Sequence, residues 1–123
     1  MSCTSIRYTV KEGRGDENQA LIEQVFAELA AKAPAGLRYE AFRLEDGVTF
    51  VHVVSHESEE AREALRALPA FRAFQAGIAE RCAVAPVRTG LTQVGSYRAS
   101  TDGRARENAQ PLSTPSEALA TSA

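Results

Sequence analysis

The stretch from Val48 to Cys82, VTFVHVVSHESEEAREALRALPAFRAFQAGIAERC, constrains the fold more than any other part of the chain. It opens with Val48, Val51, Val53 and Val54 close together, a composition that favours an extended strand. Ser58 then stands as a helix N-cap, with Glu59 and Glu60 in the first turn, where the positive end of the helix dipole favours them. Ala61, Ala64, Leu65 and Leu68 continue an apolar stripe as far as Pro69, which has no backbone N–H to donate, and a second helical segment resumes with Phe71, Phe74, Ile78 and Cys82. The expectation is a strand that feeds a helix broken at Leu68 and Pro69. Both histidines of the chain, His52 and His56, lie in this stretch.

Upstream, Ile6, Tyr8 and Val10 alternate with Arg7, Thr9 and Lys11, which predicts a first strand over about residues 5–12. Asp16 and Gln19 have capping-box spacing, and Leu21, Ile22, Val25, Phe26, Leu29 and Ala33 form a helical stripe that Pro34 and Gly36 end. Leu37 to Glu45 reads as a second strand, joined through the turn-forming Asp46-Gly47 to the third, Val48 to about Ser55. After Ala85-Pro86, the segment VRTGLTQVGSY reads as a fourth strand, with Gly90 and Gly95 as candidate bulges. From residue 99 on the composition turns polar with only two leucines, which predicts a flexible tail over 99–123 beyond a domain of residues 1–98.

A chain of 123 residues with 44% hydrophobic content can bury a core without staples. Its formal net charge of −2 gives no reason to expect a nucleic-acid partner. No apolar run is long enough to span a bilayer, and the N-terminal residues lack a secretion pattern, so the expectation is a cytoplasmic protein with no membrane partner. Cys3 and Cys82 lack the spacing of zinc or redox motifs; they are expected as free thiols, Cys3 on a loose terminus and Cys82 packed near a helix end.

The order β-α-β-β-α-β predicts an α+β fold, the ferredoxin-like sandwich: a four-stranded antiparallel sheet with both helices on one face. Strand three is apolar on both sides, so the uncovered face is expected to meet a second copy of the chain in a homodimer.

Three segments carry a resemblance: YTVKEG in the first strand, HESEEA at the start of the second helix, and LPAFRAFQAGI at Pro69. Together, over about residues 5–98, they resemble the antibiotic biosynthesis monooxygenase family of dimeric α/β barrels. The resemblance implies a barrel formed by the sheets of two subunits, with a cavity in each subunit between its sheet and helices. Members include cofactor-independent oxygenases of anthrones and quinols and haem-degrading enzymes. Residue by residue the chain departs from the family pattern. The position of a frequent tryptophan is similar to His56, that of a helix histidine to Leu65, that of the haem-ligating histidine to Gln75, and that of a strand-one asparagine to Ile6. A glutamine amide is a poor axial ligand, so haem degradation is not expected and no cofactor is called for.

His52 and His56 share a strand face about 13 Å apart, too far to ligate one metal ion, and no metal site is expected. Within a sheet-helix cavity His52 would lie on the floor and His56 near the mouth. His52 is the candidate catalytic residue, as base or hydrogen-bond partner to a phenolic substrate; the plainer alternative makes it a satisfied, half-buried strand residue. Tyr8, His56, Phe71 and Gln75 are candidate substrate-binding residues, and Tyr39, Phe42 and Phe74 are aromatic positions that would line a cavity or fill a core. Arg7, Arg38, Arg43 and Arg88 lie on strands, where an arginine facing a pocket could hold a carboxylate or enolate. Two functions follow: a cofactor-independent monooxygenase of a small quinol- or anthrone-like aromatic, or a non-catalytic dimer that binds a small ligand or serves as an accessory protein.

Overall fold

The computed structural model describes residues 2–99. Strands β1 (Ser2–Val10), β2 (Leu37–Arg43), β3 (Thr49–His56) and β4 (Cys82–Gly90) form one sheet in the order β2-β3-β1-β4, with every neighbouring pair antiparallel. Helix α1 (Gly15–Lys32) connects β1 to β2, and α2 (Glu59–Arg66), α3 (Pro69–Ala76) and α4 (Ile78–Arg81) connect β3 to β4. The ferredoxin-like plan is therefore present. A first compact unit ends at Thr92, and residues 93–99, which belong to a second, have no regular structure. The predicted tail lies outside the described residues, apart from Ala99.

Alternation along the strands sorts the side chains onto two faces. Tyr8, Val10, Phe50 and Val54 enter the core, where they meet Ile22 and Val25 of α1, Leu65 of α2 and Phe74 of α3. The opposite face carries Arg7, Phe42, Val51 and Val87 in register across the four strands. Phe42, Val84 and Val87 remain 53%, 56% and 59% exposed in the single chain. Phe42 thus looks away from the helices and lines no cavity beneath them, a correction to its placing among the cavity aromatics.

The break at Leu68 and Pro69 is as expected: Ser58 Oγ accepts the Ala61 N–H at 3.1 Å to start α2, and Pro69 opens α3. Leu68 cannot cap α3 with its side chain, and the Glu28 carboxylate of α1 accepts the Ala70 N–H instead, at 3.0 Å. A second interruption at Gly77 divides the later segment, so Ile78 belongs to α4 and Cys82 already opens β4.

Four further expectations are corrected. First, β1 begins earlier and ends earlier than the alternation suggested, and it includes Cys3, which pairs with Ser55 rather than lying on a loose terminus. Second, Asp16 and Gln19 form no capping box. Arg14 is the N-cap without a side-chain bond, while Arg43 Nη1 donates to Asp16 Oδ1 at 3.1 Å and Gln19 Oε1 at 2.8 Å and draws both toward the β2-β3 hairpin. Third, β4 ends at Gly90, so Gly95 is not in a strand. Fourth, its irregularity lies opposite Arg7 to Val10, beside Pro86, whose missing N–H is tolerated on an edge strand.

In the hairpin, Asp46 accepts the Val48 and Thr49 N–H groups at 2.9 and 2.8 Å, and Gly47 turns at φ 79°. The start of α1 packs against this turn so closely that a Cβ on Gly15 would collide with the Gly47 carbonyl and the Arg43 guanidinium. Gly15→Ala is therefore expected to destabilise the fold by about 1–3 kcal/mol, against the roughly 1 kcal/mol by which alanine favours a helix. Urea denaturation in which the variant equals or exceeds the parent contradicts this close approach.

Candidate functional site

The antiparallel register sets Tyr8 opposite Phe50 and Ile6 opposite His52, so Tyr8 and His52 are diagonal neighbours on the helix-covered face. On the other side of β3, Ala41 faces His52 and Tyr39 faces Val54, which makes Tyr39 the diagonal neighbour from β2. His52 thus lies between two tyrosines. Its Nε2 is 2.8 Å from Tyr8 Oη, and its Nδ1 is 2.8 Å from Tyr39 Oη.

These rings belong to the floor of a cavity of about 420 Å³ between the sheet and the segment that carries α2, α3 and α4. Ile6, Val54 and His56 complete the strand side; Leu65, Phe71, Phe74, Gln75 and Ile78 supply the helix side. Arg62, Arg66, Pro86 and Arg88 also line it, the last three exposed to solvent. The candidate residues Tyr8, His52, His56, Phe71 and Gln75 accordingly share one cavity. His52 is buried on the floor at 3% exposure, whereas His56 is half-buried. Among the strand arginines only Arg88 lines the cavity; Arg43 is held at the hairpin by Asp16, Gln19 and the Gly47 carbonyl.

Behind the cavity floor, the polar contacts continue through two residues that periodicity hid. Asn18 Nδ2 donates to Tyr8 Oη at 2.8 Å, and Asn18 Oδ1 accepts from Arg81 Nε at 3.0 Å. Asn18 is fully buried and Arg81 is 3% exposed. Each occupies an apolar-stripe position, Asn18 four residues before Ile22 and Arg81 three after Ile78, so a polar side chain on a core-facing register was the available signal. Tyr39 reads from the sequence as an aromatic filler, and its hydroxyl proves to be part of the polar chain.

Burial dominates the acid-base properties here. Tyr8 is pushed up to about 12 by burial, partly offset by the Asn18 hydrogen bond and the Arg81 charge, and burial raises Tyr39 as well, with a smaller contribution from Tyr8. His52 is lowered to about 4 by burial, so its imidazole is neutral at pH 7. Among the described residues no group of three His, Cys, Asp or Glu side chains could hold a metal ion. No helix among them is long and apolar enough to cross a membrane.

The depressed His52 value has a defined sign. Between the unfolded value near 6.5 and the folded value near 4, the unfolded chain binds the proton more readily, so this contribution to stability is complete above 6.5 and is lost as pH falls to about 4. Across that window His52 is expected to cost the fold about 3 kcal/mol. The check is an NMR titration of the ring in the folded protein; protonation with a midpoint at 6 or above contradicts the buried, neutral imidazole.

A search of the curated proteins returned no match. Among solved structures, a crystal structure described as an antibiotic biosynthesis monooxygenase is 17% identical with a TM-score of 0.63, over 77% of this chain and all of that one. Rv0793 from Mycobacterium tuberculosis is 18% identical with a TM-score of 0.64, over 79% of this chain and 98% of its own. SnoaB, a cofactor-independent oxygenase from Streptomyces nogalater, is 18% identical with a TM-score of 0.58, over 77% and 94%. At these identities the likeness is one of fold. The family profile described as antibiotic biosynthesis monooxygenase matches residues 1–77, from β1 to the end of α3. With that match over more than half its length, the chain belongs to the antibiotic biosynthesis monooxygenase family.

Proposed function

We propose that the protein is a cofactor-independent monooxygenase of a small electron-rich aromatic of the quinol or anthrone type. The observation that carries this reading is the neutral His52, hydrogen-bonded to two tyrosine hydroxyls on the floor of an aromatic-lined cavity. A volume of about 420 Å³ is within the range of small-molecule sites. The similar fold of SnoaB, described as a cofactor-independent oxygenase, agrees with it.

For an anthrone the chemistry balances without a protein-borne electron carrier. The ring methylene loses two hydrogens, one atom of dioxygen becomes the new carbonyl oxygen, and the other leaves as water, so the substrate supplies the electrons. The protein's task is to favour the enolate that reacts with dioxygen, by hydrogen bonding to the oxygen on which its charge resides. Both ring nitrogens of His52 already lie 2.8 Å from tyrosine hydroxyls, so the ring serves neither as base nor as direct hydrogen-bond partner to the substrate and acts by holding the hydroxyls beside it. The same observation supports the second reading, a non-catalytic dimer that binds a small ligand in this cavity.

The open sheet face is proposed to close against a second copy, supported by the exposed Phe42, Val84 and Val87. Light scattering at micromolar concentration is expected to give twice the chain mass, and Val87→Glu to give the monomer; a parent protein that is monomeric throughout contradicts the dimer.

Oxygen uptake with a panel of quinols and anthrones tests the activity. At least one substrate is expected to be turned over, and His52→Ala to slow it roughly a hundredfold. The absence of turnover with every substrate, or turnover that the substitution leaves unchanged, removes the oxygenase reading.

A further inference from the structure

The buried polar chain has one permitted direction, and it can be read from its far end. Arg81 has only N–H groups to offer, so the Asn18 atom that faces it must be the amide oxygen. The amide nitrogen of Asn18 therefore faces Tyr8 and donates to its hydroxyl oxygen. Tyr8 has one proton left to place. The acceptor available to it among the described residues is His52 Nε2, at 2.8 Å. If Nε2 instead carried the imidazole proton, Tyr8 Oη would receive two donors and its own O–H, in a residue 2% exposed, would be left without a partner at a cost of about 1–3 kcal/mol. A neutral imidazole with a bare Nε2 holds its proton on Nδ1, which donates to Tyr39 Oη at 2.8 Å. Tyr39 accepts that bond and keeps its own O–H unspent, on the floor of the cavity.

We propose that Arg81, Asn18, Tyr8 and His52 are positioning residues of a one-way hydrogen-bond relay that presents the Tyr39 hydroxyl as a donor to the cavity. The site would then favour ligands that accept through a carbonyl or an oxyanion, such as a quinone carbonyl or an anthrone enolate. Each bond in such a chain polarises the next, so Tyr39 is a stronger donor than an isolated tyrosine. The ligand class rests on the proposed use of the cavity as the ligand site; the direction of the relay does not.

The chain also predicts how to reverse it. Asn18→Asp is nearly isosteric and keeps an oxygen for Arg81, but it replaces the amide donor with a second acceptor. Tyr8 then donates to Asp, His52 moves its proton to Nε2, and Tyr39 turns its O–H to Nδ1, away from the ligand.

Two measurements test this on the full chain. Nitrogen-15 NMR of the imidazole reads the tautomer without any ligand. Wild-type His52 is expected with Nδ1 protonated and Nε2 bare, and Asn18→Asp with the two exchanged. The second uses 9-fluorenone, which can only accept a hydrogen bond, beside fluorene, its hydrocarbon counterpart. Fluorenone is expected to bind roughly tenfold more tightly than fluorene, with its carbonyl infrared band shifted to lower frequency, and both effects to disappear in Tyr39→Phe. A wild-type His52 protonated on Nε2 overturns the proposal whether or not either probe binds. Fluorenone bound with an unshifted carbonyl, or equally well by Tyr39→Phe, overturns the ligand assignment while leaving the cavity as a binding site. A bare Nε2 and a shifted carbonyl, with no oxygen uptake on any quinol or anthrone, would support the relay and remove only the oxygenase.

Discussion

Arg81 is buried at the end of a four-residue helix, and no carboxylate lies within ion-pairing distance of it among the described residues. A buried cation is costly unless its hydrogens find acceptors. Here they find two, Asn18 Oδ1 and the Phe74 carbonyl, each at 3.0 Å, and the guanidinium carbon lies 5.3 Å from the centre of the Phe74 ring. The missing side chain of Gly77 leaves room for it, since a Cβ there would be 2.8 Å from Nη1. These contacts join the start of α1, the end of α3 and the entry to β4 directly behind the cavity floor. The charge that organises the site is thus held by the same contacts that hold the helices to the sheet.

A single sheet serves two purposes because its side chains alternate. Tyr8, Tyr39 and His52 face the helices, and their immediate strand neighbours Arg7, Glu40 and Val51 face the other way. One face gives the cavity, and the other gives an apolar surface that a partner copy would cover. A one-residue slip of β3 against β1 would exchange the two sets, so the hairpin at Asp46 and Gly47, clasped by Arg43 against α1, protects the site as well as the fold.

Much of this was legible in the residues. Period-two alternation around Tyr8, the Ser58 cap and the Pro69 break identified the elements, and the shared strand face placed His52 inward with His56 toward the mouth. Where the structure departs from the sequence pattern, the causes are local and physical. Asp16 has the spacing of a cap, yet Arg43, distant in sequence, engages it more directly. Cys82 continues a helical spacing, yet it takes an extended conformation at φ −83° and ψ 137° as β4 starts. Phe42 reads as a cavity residue because composition does not say which face of a strand is covered. Asn18 and Arg81 each read as an ordinary polar residue on a helix until the fold brings them together over 63 positions of sequence.

What emerges is a family fold whose polar site is built around a neutral histidine between two tyrosines and backed by a buried cation. Its relay ends in a donor aimed at the ligand, and a crystal structure of the protein with 9-fluorenone bound would locate that donor's acceptor. The carbonyl oxygen is expected within about 2.6–3.2 Å of Tyr39 Oη, with the ligand's rings inside the cavity that His52 and Phe74 line. A carbonyl turned away from Tyr39 toward Arg88 and solvent would rule the donor out.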